Sequence, residues 1–586
     1  MKPMNLTTAL ALVLTVVPGA ALLAQDAAFP PVTDEMLANP NPEDWIHWRG
    51  NQSHWGYSPL DQINLENVGG LTLAWSRSLR AGDMEGTPLV YNGVLYMPQP
   101  KSVITAYAAA TGDVIWEYRR ELPEDLAEFV QLNSVVRALG IYEDKIIHLT
   151  ADGYIIALNA ATGAVEWETQ VSDYQTGTNW QTSGPMIVNG MAVSGRSCEP
   201  EGGPEACFLA AHDLETGEEL WRTFTIPRPG EAGDDTWGNV PYESRWHVGS
   251  WITPSVDPEL GLAYFGTSVT SPYTKFIMGS EDQDAEHLYQ TSTLAIDIET
   301  GEIRWYQQHI RDQWDLDHPF ERILLDTAIA PNADEVRWIN PAVTPGEERA
   351  VMTGIPGKTG IFYSIDRATG EFLWARETVL QTVVLDIDAT GRATMNSDLF
   401  FTEVGQTHEV CPSLIGGKNW MTGAYSPLTN SIYYPLHNLC MTETVSSDEP
   451  VVEELGQLDF AAMAAPGVEN LGTIRGFNVE TGEQTWIHEE RSIQMSLLTT
   501  GGGLLFGGDV NRRFSAYDQT TGEQLWETIL GGSVGGYPVS FAVDGRQYVA
   551  VSTGPFLISG LYEGLTPESR ANNQGNNLYV FALPAE

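Results

Sequence analysis

The sequence predicts an all-β fold, an eight-bladed β-propeller whose blades dock on one another through repeated tryptophans. Two observations lead to this fold class: a recurring Thr-Gly-x-x-x-Trp motif and the groups of short apolar strands around each copy. Short strands in sets of four per repeat are typical of propeller blades. The motif occurs seven times in the 586 residues, starting at Thr111, Thr162, Thr216, Thr300, Thr369, Thr481 and Thr521.

The first copy illustrates how one repeat is built. Four short strands are predicted around it, at residues 89–91, 94–97, 103–106 and 114–118. Gly112 suits a turn position that needs a positive φ. Trp116 lies on the strand that follows the turn, where it can pack against a neighbouring sheet. We therefore interpret the motif tryptophans as packing residues and not as a cofactor site.

The count of eight blades rests on the interval from Trp374 to Thr481, which is too long for one repeat. Within this interval, residues 423–434 have the pattern of a degenerate hairpin. The last predicted strand, at 577–582, is expected to pair with an N-terminal strand such as 71–75, because closing the ring removes open sheet edges. Residues 25–586 are thus predicted to form a single propeller domain.

The N-terminal residues have the pattern of a secretory signal peptide, assigned to residues 1–24. Lys2 is followed by an apolar run and then by small residues before Gln25. No other segment reaches the length of a membrane span. The mature protein is therefore expected to be exported and soluble, with no transmembrane segment.

The charge balance narrows the range of partners. The chain has 77 acidic and 30 basic residues, which gives a net charge of −47. Such a charge disfavours nucleic acid, whose phosphates repel an acidic surface. The same charge keeps the protein soluble and steers a cationic partner toward it.

Four cysteines in an exported chain indicate two disulfides. Three pairings are open, and we favour Cys198–Cys207 with Cys411–Cys440 because this pairing closes two short loops. The sequence has no Cys-x-x-Cys-His motif, so a covalently attached c-type haem is not expected.

An acidic stretch at residues 311–320 stands out among the short strands, because it carries three aspartates. It follows Trp305 within one of the three longest intervals between motif copies, and long loops in compact domains tend to be functional. Asp315 and Asp317 are two residues apart, so an extended segment points both carboxylates the same way. Two adjacent carboxylates repel unless a proton or a cation lies between them. Read alone, the stretch is more typical of a solvated acidic turn that follows a strand.

The sequence resembles the pyrroloquinoline quinone (PQQ) dependent alcohol dehydrogenases over essentially the whole mature chain. The resemblance begins at Asp44-Trp45 and continues through the run 57–64. It is closest to the soluble periplasmic sorbose and sorbosone dehydrogenases, on the run 32–40 and the short loop between Cys198 and Cys207. This resemblance implies an eight-bladed propeller in the periplasm that binds PQQ.

The resemblance also implies a set of cofactor-binding residues, each within its own local motif. Arg137 matches an arginine that pairs with a PQQ carboxylate, a role suited to a bidentate guanidinium. Trp251 matches the tryptophan that stacks beneath the planar quinone, and Lys358 matches the cation near its reactive oxygens. The full predicted set is Glu85, Arg137, Thr182, Arg196, Ser197, Trp251, Lys358, Asn419 and Trp420.

Asp315 matches the catalytic base, with Lys358 as the second catalytic residue. Glu199 matches a metal-binding glutamate, and the predicted metal ligands are Glu199, Asp315 and Asp317. One metal ligand of the family is missing, because Val269 occupies the position of an asparagine that usually supplies a metal oxygen. Since Ca²⁺ takes six to eight oxygens, Asp317 is expected to replace that oxygen.

The identity of the metal is left open, with Ca²⁺ favoured. An aspartate two residues after the base marks the lanthanide-dependent relatives, and Asp317 stands at that position. Val269 lacks the asparagine which those relatives keep. A second departure is that Gln131 and Leu132 stand where the family usually has adjacent cysteines.

The implied function is oxidation of alcohols or sugars to carbonyl products, with a soluble cytochrome c as electron acceptor. The substrate range includes polyols, bulky secondary alcohols and aldehydes, and a homodimer is left open. The principal alternative is a non-catalytic propeller scaffold for outer-membrane protein assembly. A hydrolase that uses Asp315 and Asp317 as paired carboxylates is a third hypothesis, although two residues on one strand lie too close together to flank a glycosidic bond well.

Overall fold

A computed structural model describes residues 29–199, 202–447, 458–569 and 575–584. The predicted signal peptide, residues 1–24, lies outside the described residues. Within the described part of the chain, strands dominate and the helices are short, as predicted. The α-helices are Asp34–Ala38, Leu126–Phe129 and Ser559–Leu565, and the 3-10 helices are Val68–Gly70, Pro204–Ala206, Asp234–Trp237, Tyr242–Ser244 and Ser397–Leu399.

Eight antiparallel sheets with four main strands each account for most of the strands. Blade 1 contains Leu89–Tyr91, Val94–Gln99, Val103–Ala108 and Val114–Arg119. Blade 2 contains Gly140–Tyr142, Lys145–Leu149, Tyr154–Asn159 and Val165–Gln170. Blade 3 contains Met186–Val188, Met191–Gly195, Phe208–Asp213 and Glu219–Phe224, and blade 4 contains Ser255–Asp257, Leu262–Gly266, Ser292–Asp297 and Ile303–Gln308.

The second half of the ring follows the same plan. Blade 5 contains Ile323–Ile329, Glu347–Gly354, Ile361–Asp366 and Phe372–Glu377, with Trp338–Ile339 at its edge. Blade 6 contains Ala424–Ser426, Ser431–His437, Gly472–Asn478 and Gln484–Glu490. Blade 7 contains Gln494–Thr500, Leu504–Asp509, Arg513–Asp518 and Gln524–Ile529, and Tyr57–Ser58 joins it as a parallel strand. The prediction of eight blades is consistent with these sheets.

Blade 8 closes the ring with strands from both ends of the chain. It contains Val539–Val543, Arg546–Thr553, Asn577–Ala582 and the N-terminal strand Thr72–Ser78. Thr72 pairs with Ala582 and Ser78 pairs with Asn577, so the two terminal strands are hydrogen-bonded along their length. The predicted closure is confirmed, and it leaves no open edge between the first and last blades.

Six of the seven motif tryptophans dock on the Thr-Gly turn of the next blade, and Trp526 packs against Phe581 of blade 8. The indole nitrogen of Trp116 donates to the carbonyl of Ala160 at 2.9 Å. Gly163 follows in that turn with φ 73°, and a Cβ there would lie 2.6 Å from the Trp116 ring. The motif therefore needs glycine for two reasons, a left-handed backbone and the absence of a side chain. The predicted packing role of the motif tryptophans is confirmed.

Two further features position the functional cavity. An insertion within the longest motif interval forms a three-stranded sheet, here called the insertion sheet, with strands Thr407–Val410, Leu439–Val445 and Leu458–Ala464. The helix Ser559–Leu565, here called the C-terminal helix, packs against its third strand. Two small ribbons pair Asn179–Trp180 with Ser197–Cys198, and Val384–Ile387 with Ala393–Met395.

The two disulfides are those that the sequence favoured. Cys198 is bonded to Cys207, and Cys411 is bonded to Cys440. The second bond links Cys411, directly after the first strand of the insertion sheet, to Cys440 on the middle strand of that sheet. Among the described residues, no helix has the length and apolar character needed to cross a bilayer.

Candidate active site

One cavity of about 250 Å³ collects most of the predicted site residues. They come from segments between blades that are far apart in the sequence. Because tryptophan docking fixes the blades around the ring, segments that are far apart in the sequence meet at the cavity. The predicted residues that line the cavity are Arg137, Thr182, Trp251, Asp315, Asp317, Lys358, Asn419 and Trp420.

The Asp315 loop holds this residue in a left-handed conformation, with φ 58°. Such a conformation costs a non-glycine residue about 1 kcal/mol and often marks a functional position. Asp312 maintains it, because its two carboxylate oxygens accept hydrogen bonds from the amides of Trp314 at 2.8 Å and Leu316 at 2.5 Å. Burial raises the pKa of Asp312 to about 7.

Lys358 connects the two carboxylates at the floor of the cavity. Its Nζ donates to Oδ1 of Asp315 at 2.6 Å and lies 3.6 Å from Oδ2 of Asp317. Its backbone amide also donates to the carbonyl of Asp317 at 2.8 Å. All three side chains are nearly buried. A cation at hydrogen-bond distance favours the ionised form of a carboxylate.

Asp317 also contacts the position where the family's asparagine is missing. The backbone amide of Val269 donates to Oδ1 of Asp317 at 2.8 Å. The Val269 side chain packs into the core with Trp314 and Leu316. A carboxylate therefore lies directly beside residue 269, where the sequence comparison had placed a lost metal oxygen.

A second ion pair contributes to another part of the cavity floor. Arg137 and Glu85 are both buried, with Nη2 of Arg137 2.6 Å from Oε2 of Glu85. Burial raises the pKa of the Glu85 carboxyl, while the adjacent Arg137 charge opposes that shift. Arg137 also donates to Oγ1 of Thr182 at 2.6 Å, and its guanidinium lies 5.0 Å from the ring centroid of Trp251. This pairing holds the guanidinium at the cavity surface.

Aromatic and amide groups complete the polar part of the cavity. Phe320 packs edge-on against Trp251, with ring centroids 5.5 Å apart, and so supports the indole that lines the cavity. Asn419 donates to the carbonyl of Ile415 at 2.7 Å and accepts from the amide of Trp420 at 2.8 Å. The buried indole nitrogen of Trp420 has no hydrogen-bond acceptor among the described residues.

Four predicted residues do not line the cavity: Glu85, which is paired with Arg137, and Arg196, Ser197 and Glu199. Arg196 packs over the Phe208 ring and donates to Ser194 at 3.1 Å, while Ser197 pairs with Trp180 in a ribbon. Glu199 is buried, and its amide donates to the carbonyl of Thr178. Their cofactor and metal roles stay predictions. Among the residues described, no three His, Cys, Asp or Glu side chains meet as a ready metal site.

The sequence did not point to several residues that line the cavity. Trp180, His247 and Tyr273 line the cavity, but no sequence motif marks them. His247 adopts φ 73° and contacts the carbonyl of Val269 through Nδ1 at 3.2 Å. A second missed group is apolar, and we call it the outer wall. It consists of Leu414, Phe460, Leu557, Ile558 and Leu561.

The polar residues fit an anionic, planar cofactor of the PQQ type. Arg137 offers a guanidinium, Thr182 a hydroxyl, and Trp251 a flat aromatic surface at the cavity wall. The buried Trp420 nitrogen needs an acceptor that the described residues do not supply. For a metal, Asp315 and Asp317 offer the oxygen ligands that hard cations prefer, and further oxygens would have to come from the cofactor and from Glu199.

Comparison with known proteins identifies the family of this chain. The family model "PQQ: Glucose/ethanol/alcohol dehydrogenase, beta-propeller domain" matches residues 45–383 and 488–549. A quinone alcohol dehydrogenase subunit from Komagataeibacter europaeus is 32% identical over 566 residues, which span 89% of this chain and 74% of the relative. The chain belongs to the PQQ-dependent alcohol dehydrogenase family. It is thus an oxidoreductase that acts on alcohol CH–OH groups.

Solved structures of this family have the same fold. The quinohemoprotein alcohol dehydrogenase ADHIIG from Pseudomonas putida HK5 is similar with a TM-score of 0.83 and 27% identity, over 95% of this chain and 84% of that one. A europium-containing methanol dehydrogenase is similar with a TM-score of 0.82 and 25% identity, over 94% and 100%. Family membership favours the dehydrogenase hypothesis over the scaffold and the hydrolase.

Proposed function

We propose that this PQQ-dependent dehydrogenase oxidises its alcohol at the cavity floor, with Asp315 as the general base. The contact of Asp315 with Lys358 at 2.6 Å carries this proposal. A general base must be ionised and within reach of the substrate hydroxyl. Asp315 is paired with a cation, is held by a strained loop and lines a cavity that also contains an open tryptophan face.

The residues around Asp315 have different proposed roles in catalysis. PQQ, when bound, supplies the acceptor for the two electrons that leave the alcohol. Asp315 accepts the hydroxyl proton, and Lys358 stabilises negative charge that develops beside it. Arg137, fixed by Glu85, would hold a cofactor carboxylate. Trp251, supported by Phe320, would offer its ring for stacking on the planar cofactor.

A metal ion would be held by Asp315, Asp317 and Glu199, with Ca²⁺ favoured and a lanthanide as the alternative. The contact between Asp317 and the Val269 amide supports a replacement of the lost asparagine oxygen by this carboxylate. An added carboxylate increases the negative charge of the ligand set, which suits a trivalent ion as well as a divalent one.

The proposed setting is the periplasm, with a soluble cytochrome c as the acceptor of electrons. The apolar N-terminal run supports export through a signal peptide over residues 1–24. The net charge of −47 supports a basic acceptor protein, because opposite charges accelerate encounter. The single propeller domain is proposed to extend over residues 25–586.

The test is reconstitution of the metal-free apoprotein with PQQ and either Ca²⁺ or La³⁺, followed by dye-linked oxidation of a broad alcohol panel. We expect activity only when both PQQ and a metal are present. Asp317→Ala should lower the affinity for the activating metal, measured from the metal concentration at half-maximal activity. No activity on any alcohol, with no PQQ bound, would end the proposal. Unchanged Ca²⁺ activation in Asp317→Ala would remove Asp317 from the calcium ligands.

A further inference from the structure

The cavity has two chemically different parts. Its floor carries the charged and hydrogen-bonding groups, Asp315, Lys358 and Arg137 among them. The outer wall, defined above as Leu414, Phe460, Leu557, Ile558 and Leu561, carries none. A carbinol group at Asp315 therefore has a polar surrounding, and the rest of the molecule that bears it faces hydrocarbon.

The outer wall is built by segments that the family model does not match. Leu414 and Phe460 lie between residues 383 and 488, and the other three lie beyond residue 549. Phe460 is on the third strand of the insertion sheet, and Leu561 is on the C-terminal helix that packs against this strand. The wall is thus built from the segment around the insertion sheet and from the segment that contains the C-terminal helix.

The wall is anchored to the floor. The backbone amide of Leu557 donates to Oε1 of Glu85 at 3.4 Å, and Glu85 is the partner of Arg137. Phe460, Ile558 and Leu561 are partly buried and pack against the same core cluster as Trp251. These side chains therefore have defined positions relative to the site of oxidation.

The arrangement discriminates between apolar and polyhydroxylated alcohols. A polyol brings several hydroxyl groups that lose their hydrogen bonds to water when they enter the cavity. A site recognises such a substrate by buried polar groups that replace these bonds. Other polar side chains that line the cavity, Gln131, His247, Tyr273 and Asn419 among them, are not part of the outer wall. The apolar side chains of the outer wall can stabilise a bound substrate only through burial of its hydrocarbon surface.

We propose that this site takes alcohols with a bulky apolar body, such as medium-chain or cyclic secondary alcohols, and that Phe460 and Leu561 determine this preference. The inference rests on the proposed function, whose substrate it specifies. Oxidation of a secondary alcohol breaks its carbinol C–H and O–H bonds and gives a ketone, two protons and two electrons, and PQQ takes the electrons.

The first test compares two six-carbon alcohols, hexan-2-ol and sorbitol, on the enzyme loaded with PQQ and metal. We expect kcat/KM to favour hexan-2-ol by at least about 100-fold, since several hydroxyl groups would be buried without partners. A tertiary alcohol of similar size has no carbinol hydrogen and cannot be oxidised. It should act as a competitive inhibitor, which reports binding to the wall independently of turnover.

The second test removes parts of the wall. Phe460→Ala and Leu561→Ala should each lower kcat/KM for hexan-2-ol by about 10- to 200-fold, chiefly through KM, and weaken the tertiary inhibitor in parallel. Ethanol oxidation should stay within about threefold, because ethanol hardly reaches the wall. Phe460→Leu should restore most of the loss. The control is Leu73→Ala, at a leucine that is 49% exposed on blade 8 and outside the cavity.

The outcomes separate this inference from the proposed function. Absence of all alcohol oxidation with PQQ and metal would refute the proposed function itself. Oxidation of ethanol together with a preference for sorbitol over hexan-2-ol would overturn only the wall proposal. Equal losses for hexan-2-ol and ethanol in Phe460→Ala would overturn it as well, because they would indicate a general structural effect.

Discussion

Single residues around Asp315 form a chain of support that ends at the proposed base. Asp312 holds the loop through two backbone amides, and Lys358 holds the Asp315 carboxylate. His318, which also belongs to the acidic stretch, contacts the carbonyl of Leu316 through Nδ1 at 2.7 Å. Burial lowers the pKa of His318 to about 3, so it is neutral and supports the loop without titrating near neutral pH.

Replacing the proposed base should separate catalysis from folding. We expect Asp315→Asn to lower kcat by about 10²- to 10⁴-fold, because the amide keeps the shape of the carboxylate but cannot accept the proton. PQQ content, measured by absorbance after reconstitution, should stay near the wild-type value. Asp113→Asn, at an exposed carboxylate on the rim of blade 1, is the control. Near-normal kcat in Asp315→Asn would rule out its role as base.

A buried carboxyl far from the active site predicts a pH effect on stability. Burial raises the pKa of Asp509 from 3.8 to about 7, and the neighbouring Arg513 only partly opposes the shift. A raised pKa means that folding favours the protonated form. The associated stability is present below about pH 4 and is lost as the pH rises through about 7.

Asp509→Asn removes this titration and should flatten the pH dependence. The amide stays neutral, and its oxygen can still accept from the Arg513 amide, which now lies 2.7 Å from Oδ1. We expect the apparent melting temperature of the variant to exceed that of the wild type by more at pH 8 than at pH 5. Glu523→Gln, at an exposed position on the same blade, is the control. A difference that shrinks with rising pH would contradict the assignment.

At the scale of elements, the Thr-Gly turn and its tryptophan act as the joint between blades. Gly163→Ala should destabilise the protein by about 2–4 kcal/mol. A left-handed alanine costs about 1 kcal/mol, and the overlap with Trp116 adds about 1–3 kcal/mol. Thermal or urea unfolding measures the loss.

Gly261 is the matched control for this joint. It has a similar φ of 66°, but an added Cβ would meet no atom within 4 Å. Gly261→Ala should therefore show only the backbone cost. Equal destabilisation by Gly163→Ala and Gly261→Ala would show that contact with the tryptophan contributes nothing to the need for glycine.

The insertion sheet and the C-terminal helix are the elements that contribute Phe460 and Leu561 to the outer wall of the cavity. Both lie outside the eight blades, and the C-terminal helix packs against the third strand of the insertion sheet. The Cys411–Cys440 bond fixes the loop that carries Leu414 to the insertion sheet. Substrate preference can therefore change through these elements while the ring and the floor remain the same.

The whole molecule is defined by its ring and its charge. Closure of blade 8 by strands from both termini makes each blade a neighbour of two others. The net charge of −47 surrounds this ring with a negative potential. Electron transfer to a protein acceptor should respond to that potential, whereas transfer to a small neutral dye should not.

We expect the rate with a basic cytochrome c to fall by about tenfold or more as ionic strength rises from about 10 to 300 mM, since salt shortens the Debye length from about 30 Å to below 8 Å. Stopped-flow reduction of the cytochrome by the alcohol-reduced enzyme measures this rate. The same enzyme with a neutral dye is the control. A rate that is independent of salt, or that rises with it, would exclude steering by the acidic surface.

The sequence by itself determined the repeat, predicted the closure of the ring and favoured the observed disulfide pairing, and its resemblance to a known family indicated most of the cavity floor. Gly163 and Trp116 belong to a local motif, and local motifs report the turn and strand chemistry that builds each blade. Arg137 and Lys358 were found through such motifs as well. The pairing of 577–582 with an N-terminal strand followed from the need to close a sheet edge.

Only the tertiary structure decided how segments from distant parts of the chain meet. The contact of Asp317 with Val269, the support of Arg137 by Glu85, and the position of Phe460 beside Leu561 all join residues far apart in sequence. No local pattern encodes such contacts, because they depend on the paths of loops between blades. The floor could be predicted because the sequence resembles a known family at the motifs that carry it. The outer wall could not, since apolar residues look alike until packing selects which of them face the cavity.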